Sequence, residues 1–321
     1  MKASTRTIYG DAKVLDIREV GRPNLKEDEV LVRIHAATVN RTDVALLRGY
    51  PLIMRFFSGL RKPRLSITGT DFAGEIIEAG KHVTRFSVGE RVWGFHDQGL
   101  QSHATYMRIP EKGNIESIPD GVEFSIAVAS AEAAHYAINI LNKITLEKGQ
   151  QAMVHGATGA IGSACVQLLR ANGLEVSATC RGEHAQIVHG LGADHTIDYT
   201  QEDFTRAPGS YDLVIDSVGK STFNACKRIL HKDGTYISSE LGPGAQNLFF
   251  ALSTPVLGGK KVIFPFPSNI KSSLSKMNAL LTKGIFNPLI DRTYPLSEIS
   301  SAFTYVASGQ KIGNVLIADF S

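Results

Sequence analysis

Between residues 151 and 239 the chain alternates short apolar runs with segments of helical periodicity. Gln151 to His155 is an apolar run of strand length. From Ala160 to Ala171 the apolar residues Ile161, Ala164, Cys165, Leu168 and Leu169 return at helical spacing. Glu175 to Cys180 predicts a second strand, Gly182 to Leu191 a short helix closed by Gly192, and His195 to Tyr199 a third strand. Tyr211 to Val218 predicts a fourth, with Leu213, Val214, Ile215 and Val218 apolar. Ser221 to Leu230 predicts a helix with Phe223, Cys226 and Ile229 inward, followed by strands over Gly234 to Ser239 and Lys260 to Pro265. Strands alternating with short helices predict a parallel, doubly wound α/β sheet.

The flanking segments read differently. Val30 to Ile34 alternates like a half-buried strand. Phe72 to Glu78 and Glu90 to Phe95 are strands set among Gly69, Gly74, Gly80, Gly89 and Gly94, which predicts a compact β-rich lobe. Ser272 to Lys283 is an amphipathic helix through Leu274, Met277, Leu280 and Leu281, and Val315 to Ala318 is a last strand. That end has no place in the parallel sheet. The expected division is therefore 1–122 with 267–321 for the β-rich lobe, and 123–266 for the parallel-sheet lobe.

With 321 residues the chain can build two cores. The net charge of +3 is small and spread along the chain, with no aromatic-basic stripe, so nucleic acid is not an expected partner. The one dense basic patch, Arg55 with Arg61-Lys62-Pro63-Arg64, reads as a solvated loop face. Cys165, Cys180 and Cys226 lack metal or redox spacing and read as buried thiols. No run approaches a membrane span and no apolar leader opens the chain, so the expectation is a cytoplasmic protein.

The chemistry concentrates in Gly156-Ala157-Thr158-Gly159-Ala160-Ile161-Gly162, the turn between the first strand and helix of the parallel lobe. Gly156 lets the chain leave the strand sharply. Gly159 removes a Cβ where the backbone would approach a pyrophosphate, and Gly162 allows close helix packing. The helix N-terminus then offers free N–H groups and a positive dipole end to the phosphates. Strand, glycine turn and helix form the layout of a dinucleotide-binding unit, although the spacing is G-x-x-G-x-x-G rather than G-x-G-x-x-G. Two other chemistries are excluded. Val218-Gly219-Lys220-Ser221-Thr222 lacks the upstream glycine of a P-loop, and no G-x-S-x-G elbow exists.

The chain resembles the medium-chain dehydrogenase/reductase superfamily, in its zinc-free quinone oxidoreductase branch. The resemblance rests on Asn40-Arg41-Thr42-Asp43, Gly69 to Glu75, Val88 to Val92, Val154 to Gly162, Leu191 to Asp194 and Asp212 to Gly219, in that order. It implies a GroES-like β-rich catalytic domain and a Rossmann domain, with the active-site cleft between them. Zinc-dependent members carry a Cys near the first landmark and a His-Glu pair in the second. This chain has Asn40 and Thr70-Asp71 there, and none of its ten histidines forms an H-x-x-x-H pair. No metal is expected. His96, His103 and His135 read as surface or satisfied polar groups.

The second strand ends at Arg181, where an NAD-preferring fold places an acid. A guanidinium suits a 2′-phosphate, so NADPH is the expected cofactor, with Glu183 able to blunt the preference. The resemblance adds Tyr199 near the adenosine phosphate. It also sets Ser217, Val218, Gly219, Leu241 and Gly242 along the nicotinamide side. Without a metal, an alkoxide has no Lewis acid, so the expected acceptor is a quinone or α,β-unsaturated carbonyl. By resemblance, Asn40 orients substrate or water, Asp43 lies nearby or serves as a structural acceptor, and Tyr50 donates a proton or packs as a loop aromatic. The 52–65 segment, with Met54, Phe56, Phe57 and Leu60, reads as a lid or as a surface helix, and Glu132 has no assigned role. The alternatives are an enoyl-thioester reductase, for which Arg55 to Arg64 could rim the cleft, and a non-catalytic NADPH-binding protein. A homodimer through Lys260 to Pro265 is also expected by resemblance.

Overall fold

The computed structural model describes residues 1–52, 54–206 and 210–320, with the Phe57 side chain outside the described set. The chain forms two compact units, Met1–Glu132 with Asn269–Ser321 and Ala133–Ser268. In the first, β1 (Lys2–Thr5) and β2 (Asp16–Glu19) make an antiparallel ribbon. The main sheet is built on β3 (Glu29–Val39), which pairs antiparallel with β4 (Asp71–Ala79) and β6 (Tyr106–Pro110). It continues from β4 to β5 (Arg91–Phe95) and β7 (Ile115–Ser117). Both faces of β3 are covered, so the alternation read over Val30–Ile34 becomes a nearly continuous buried run in which Leu31 is buried as well.

Helix α1 (Arg41–Arg48) follows β3, and α2 (Met54–Ser58) lies in the 52–65 segment. The segment is tied back to Tyr9, whose hydroxyl lies 2.8 Å from Ser58 Oγ and donates to the Gly59 carbonyl. Phe56 and Leu60 remain exposed. Helix α3 (Phe124–Ala129) packs on β3 and β4. Its Phe124 stacks on His35 at 4.4 Å and receives the Arg91 guanidinium. These contacts hold α3 in the β-rich unit, so the division falls at Glu132, after α3, and not before it at 122.

In the second unit, α4 (Glu132–Leu141) leads to β8 (Gln151–His155), α5 (Ala160–Ala171), β9 (Glu175–Cys180), α6 (Ala185–Gly190) and β10 (His195–Asp198). Then follow β11 (Tyr211–Asp216), α7 (Phe223–Cys226), β12 (Leu230–Ser238), α8 (Gln246–Leu257) and β13 (Lys261–Ile263). All six strands are parallel, in the order β10-β9-β8-β11-β12-β13. The order reverses between β8 and β11, the switch point at which open α/β sheets bind ligands. The helix predicted over 221–230 is shorter because Leu230 leaves it to pair with Tyr211, whose N–H donates to the Ile229 carbonyl. Met153, Val214, Ile229 and Tyr236 fill the core beneath, each side chain contributing about 1.5–3 kcal/mol by burial.

The chain then returns through α9 (Ile270–Thr282), β14 (Ile290–Tyr294), α10 (Ile299–Ser308) and β15 (Asn314–Ala318). Strand β15 pairs antiparallel with β3, and Ile299, Phe303 and Val306 join Val30, Ile34 and Phe72 in one core. The three cysteines are buried free thiols. Among the described residues no helix is long and apolar enough to cross a membrane.

Candidate functional site

A parallel sheet puts the carboxyl ends of all its strands on one edge. Five of the six ends here lead into segments singled out from the sequence: Gly156 after β8, Arg181 after β9, Tyr199 after β10, Ser217 after β11 and Leu241 after β12. Gly156 takes φ +85°, and a Cβ there would meet Val218 Cγ1 at 2.6 Å. A Cβ on Gly162 would lie 2.2 Å from the Gly156 carbonyl oxygen and 2.8 Å from Ser217 Oγ. Gly162 thus lets α5 close on the turn itself. A Cβ on Gly159 would meet only the Gly156 oxygen, at 3.3 Å, and otherwise open space. Gly159 is also the cap of α5 and offers no side chain, which leaves the first-turn N–H groups of the helix for an outside acceptor.

Two residues that the sequence did not single out hold this edge in shape. Thr179 Oγ1 accepts from the Gly156 N–H at 3.0 Å and lies 2.8 Å from His155 Nδ1. Asp216 is fully buried and accepts four bonds: from Val218 N and Gly219 N through Oδ1, and from Ser221 N and the Tyr236 hydroxyl through Oδ2. Ser217 Oγ donates to the His155 carbonyl at 2.8 Å, stitching β11 to the glycine turn. Gly242 takes φ +70° beside Asn247, whose Nδ2 donates to the Glu240 carbonyl.

Arg181 and Tyr199 come together across β9 and β10. Arg181 Nε donates to the Tyr199 hydroxyl at 3.2 Å, and both side chains are substantially exposed. Glu183 stands 3.8 Å from the same guanidinium. The Tyr199 hydroxyl and the neighbouring acid hold the Arg181 pKa above its usual value.

The β-rich unit holds a second constellation around the start of α1. Asn40 is buried and donates through Nδ2 to Thr38 Oγ1 at 2.5 Å and to Asp71 Oδ2 at 3.1 Å. Asp71 also accepts from the Thr38 N–H and hydroxyl. Asp43 Oδ2 accepts from the Asn40 N–H at 2.9 Å and the Thr70 hydroxyl at 3.2 Å. Glu132, at the first position of α4, accepts from the Thr42 hydroxyl at 2.6 Å and lies 3.4 Å from Thr70 Oγ1.

Burial pushes Asp43 and Asp71 up to about 7, and Asp71 is raised further by Asp43. Burial, with Asp43 and then Asp71 beside it, pushes Glu132 up to about 8. The N-terminus of α4 favours the Glu132 carboxylate by roughly 0.3–1 kcal/mol, which is less than the several kcal/mol that burying an ion costs. Burial lowers Lys311, which faces Glu132, to about 8. His103 is buried between Thr68 Oγ1 and the Thr38 carbonyl, both at 2.8 Å, and burial lowers it to about 4. It is a neutral, satisfied histidine.

Asn40 and Asp43 therefore share one network at the N-terminus of α1. Tyr50 stands past the other end of that helix, about 12 Å along its axis, and is 68% exposed. The structure does not bring Tyr50 to the buried carboxyls. It brings Thr42, Thr70 and Glu132 there instead.

Residues 26–129 match the family model described as the alcohol dehydrogenase GroES-like domain, and residues 191–317 match the one described as zinc-binding dehydrogenase. The 2-methylene-furan-3-one reductase of Solanum lycopersicum is 30% identical over 329 residues, spanning 99% of this chain and 79% of the relative. The chloroplastic NADPH-dependent alkenal/one oxidoreductase of Arabidopsis thaliana is 26% identical over 329 residues, with 99% and 79% covered. Among solved structures, the quinone oxidoreductase from Coxiella burnetii superposes with a TM-score of 0.85 at 23% identity, covering 99% of each chain. The chain belongs to the medium-chain dehydrogenase/reductase superfamily, with its GroES-like domain and parallel-sheet Rossmann domain.

The zinc implied by part of that family does not fit the residues present. At the matching place stand an amide, a hydroxyl and a carboxylate, and the Asn40 amide and Asp71 carboxylate bond to each other. Among the described residues no group of three or more His, Cys, Asp or Glu is arranged to hold a metal ion. A dinucleotide does fit the second unit, because the glycine turn would be filled by a Cβ at Gly156 or Gly162 and is open at Gly159.

Proposed function

We propose that this chain is a zinc-independent reductase that uses NADPH to transfer a hydride to a quinone or an α,β-unsaturated carbonyl compound. The observation that carries the reading is the Arg181–Tyr199 pair on the same sheet edge as the open N-terminus of α5. Residues 156–162 would take the pyrophosphate through backbone N–H groups. Arg181 and the Tyr199 hydroxyl would take the 2′-phosphate, a group that Arg181 matches in charge and in the geometry of its donors. Ser217, Val218, Gly219, Leu241 and Gly242 would border the nicotinamide end. When bound, the nicotinamide supplies the hydride.

The acceptor class follows from the chemistry that the residues can support. Among the described residues no metal-binding set stands ready to stabilise an alkoxide, whereas the anion formed from a quinone or enone is delocalised and needs only orientation and a proton. Two plant relatives are named for a furanone and for alkenals and alkenones, which supports the same class. Asn40 and Asp43 would shape the buried side of the substrate site by fixing Thr38, Thr70 and Asp71. Tyr50, a proton donor or a loop aromatic by resemblance, is exposed past the far end of α1 and is the competing source of that proton. An enoyl thioester is the second reading, favoured by the exposed basic residues Arg61, Lys62 and Arg64, which suit a phosphorylated carrier.

A homodimer belongs to the same proposal. Strand β13 terminates the six-stranded sheet, and the adjoining α8 exposes Phe249, Leu252 and Val256 along one stripe. Such a stripe is costly to leave in water.

The test is NADPH and NADH consumption measured against quinones, enones and enoyl thioesters, with a chelator present. Chelator-resistant turnover favouring NADPH supports the reading, and the best acceptor ranks the classes. Loss of activity with chelator overturns zinc independence. Tight NADPH binding with no turnover on any acceptor points to a non-catalytic binding protein.

A further inference from the structure

Thr70 Oγ1 lies between two buried carboxyl groups, 3.2 Å from Asp43 Oδ2 and 3.4 Å from Glu132 Oε2. A hydroxyl has one proton to donate. Both contacts can be hydrogen bonds only if one carboxyl is protonated and donates to Thr70 while Thr70 donates to the other. Asp43 Oδ2 already accepts the Asn40 N–H and faces the Arg6 guanidinium, which favours its anion. Glu132 has the Thr42 hydroxyl and Lys311 on the side of its anion, but burial with Asp43 and Asp71 beside it outweighs them, so the proton rests on Glu132. The arrangement also reverses without breaking. If Glu132 gives its proton to Thr70 as Thr70 gives its own to Asp43, the charge moves from Asp43 to Glu132 and the proton count is unchanged.

The Asp43 end of this arrangement has an opening. There, Asp43 Oδ1 is buried with no hydrogen-bond partner, as is Arg6 Nε, the two residues being 2% and 6% exposed. Both residues line one cavity of about 20 Å³, room for a single water molecule. At the other end, Glu132 Oε1 accepts from the half-buried Thr42 hydroxyl at 2.6 Å, within the range of O–H···O bonds.

We propose that Asp43, Thr70 and Glu132 hold one shared proton and that Glu132 releases it through Thr42 to the anion left by hydride transfer. The proposal rests on the reductase reading above. In the releasing step, the Glu132 proton turns to Oε1. Thr42 then passes its own proton to the product anion and takes the one from Glu132, which is left as a carboxylate. Solvent returns a proton to Asp43 Oδ1 by way of a water molecule in the Arg6–Asp43 cavity, which gives up one proton and takes one from solvent. The Asp43 proton turns to Oδ2, and the reverse exchange through Thr70 reloads Glu132. The charged groups facing Glu132 are Asp43, Asp71 and Lys311, and those facing Lys311 are Arg41 and Asp291 as well. In this scheme Thr42 is the residue that meets the product anion, and Thr70 and Glu132 are positioning residues that act through it.

The experiment compares the wild type with Glu132→Gln, Thr42→Val and Tyr50→Phe. Infrared difference spectra of the unliganded proteins at neutral pH are expected to show a protonated-carboxyl band that Glu132→Gln lacks and Thr42→Val retains. With the best enone acceptor, Glu132→Gln and Thr42→Val are expected to lower steady-state kcat by about 10²-fold. They should leave the rate of NADPH oxidation in a single turnover unchanged, and Glu132→Gln should remove the alkaline limb of the kcat profile near pH 8. Wild-type spectra matching those of Glu132→Gln would overturn the shared proton. A wild-type alkaline limb in Glu132→Gln, with that limb lost in Tyr50→Phe, would overturn release through Thr42. Should the wild type turn over no acceptor, the reductase reading and the release step both fall, while the infrared band still decides whether Glu132 holds the proton.

Discussion

Arg181 donates to the hydroxyl of Tyr199 across 3.2 Å although 18 residues separate them. The pair presents a cation and a phenolic donor side by side on the sheet edge. Arg181→Ala is expected to raise the KM for NADPH about 10–100-fold, the loss of one or two charge-assisted bonds, and to leave the KM for NADH nearly unchanged. Equal losses with both cofactors would remove Arg181 from the 2′-phosphate site.

Gly159 and Gly162 separate two kinds of glycine requirement. Gly162→Ala would place a methyl 2.2 Å from a backbone oxygen and is expected to lower Tm and abolish cofactor binding together. Gly159→Ala would meet its nearest neighbour at 3.3 Å, so Tm is expected to hold while NADPH affinity falls. Calorimetry beside a binding titration distinguishes the two, and unchanged NADPH affinity in Gly159→Ala would place the pyrophosphate elsewhere.

Asp216→Ala would leave three backbone N–H groups and the Tyr236 hydroxyl without their acceptor. A loss of about 3 kcal/mol is expected, together with weaker cofactor binding as the 217–221 loop loosens. Denaturant unfolding and a binding titration measure both, and wild-type stability would show that water replaces the carboxylate.

Glu132 makes stability depend on pH. Its folded pKa, about 8, lies above the ordinary 4.5, so the native state keeps a proton that the unfolded chain releases. Its contribution is present below about 4.5 and is lost as pH rises through about 8. Glutamine keeps the shape without titrating. The Tm of Glu132→Gln relative to the wild type is therefore expected to rise steadily between those two pH values. A constant difference across that range would mean that Glu132 is ionised throughout.

Leu252 is 80% and Val256 87% exposed on α8. If this stripe and β13 form the contact between two copies, Leu252→Glu with Val256→Glu is expected to convert a dimer to a monomer by sedimentation without altering Tm of the monomer. A wild-type protein that sediments as a monomer would end the dimer proposal.

The alternation of strands and helices in the parallel-sheet unit was legible because each of its elements is local, whereas the strand order is a matter of pairing. Strand runs, helical periods and glycines at 156, 159 and 162 are each a matter of a few neighbouring residues. The Phe223–Cys226 helix was read too long because the pull of Tyr211 on Leu230 is a pairing between strands, which no local pattern carries. The buried carboxyl network was hidden for the same reason on a larger scale. Asn40 and Asp43 could be named from a resemblance. Glu132 could not be given a role, because its partners Thr42 and Thr70 lie 90 and 62 residues away.

The sequence by itself determined the two kinds of lobe, the glycine turn and the residues at the strand ends, since backbone geometry and hydrophobic period are written in short windows. Tertiary structure alone decided which polar groups lose their water together. Asp43, Asp71 and Glu132 have unremarkable letters in the chain, and their chemistry comes from shared burial and from one threonine hydroxyl that cannot donate to two anions at once.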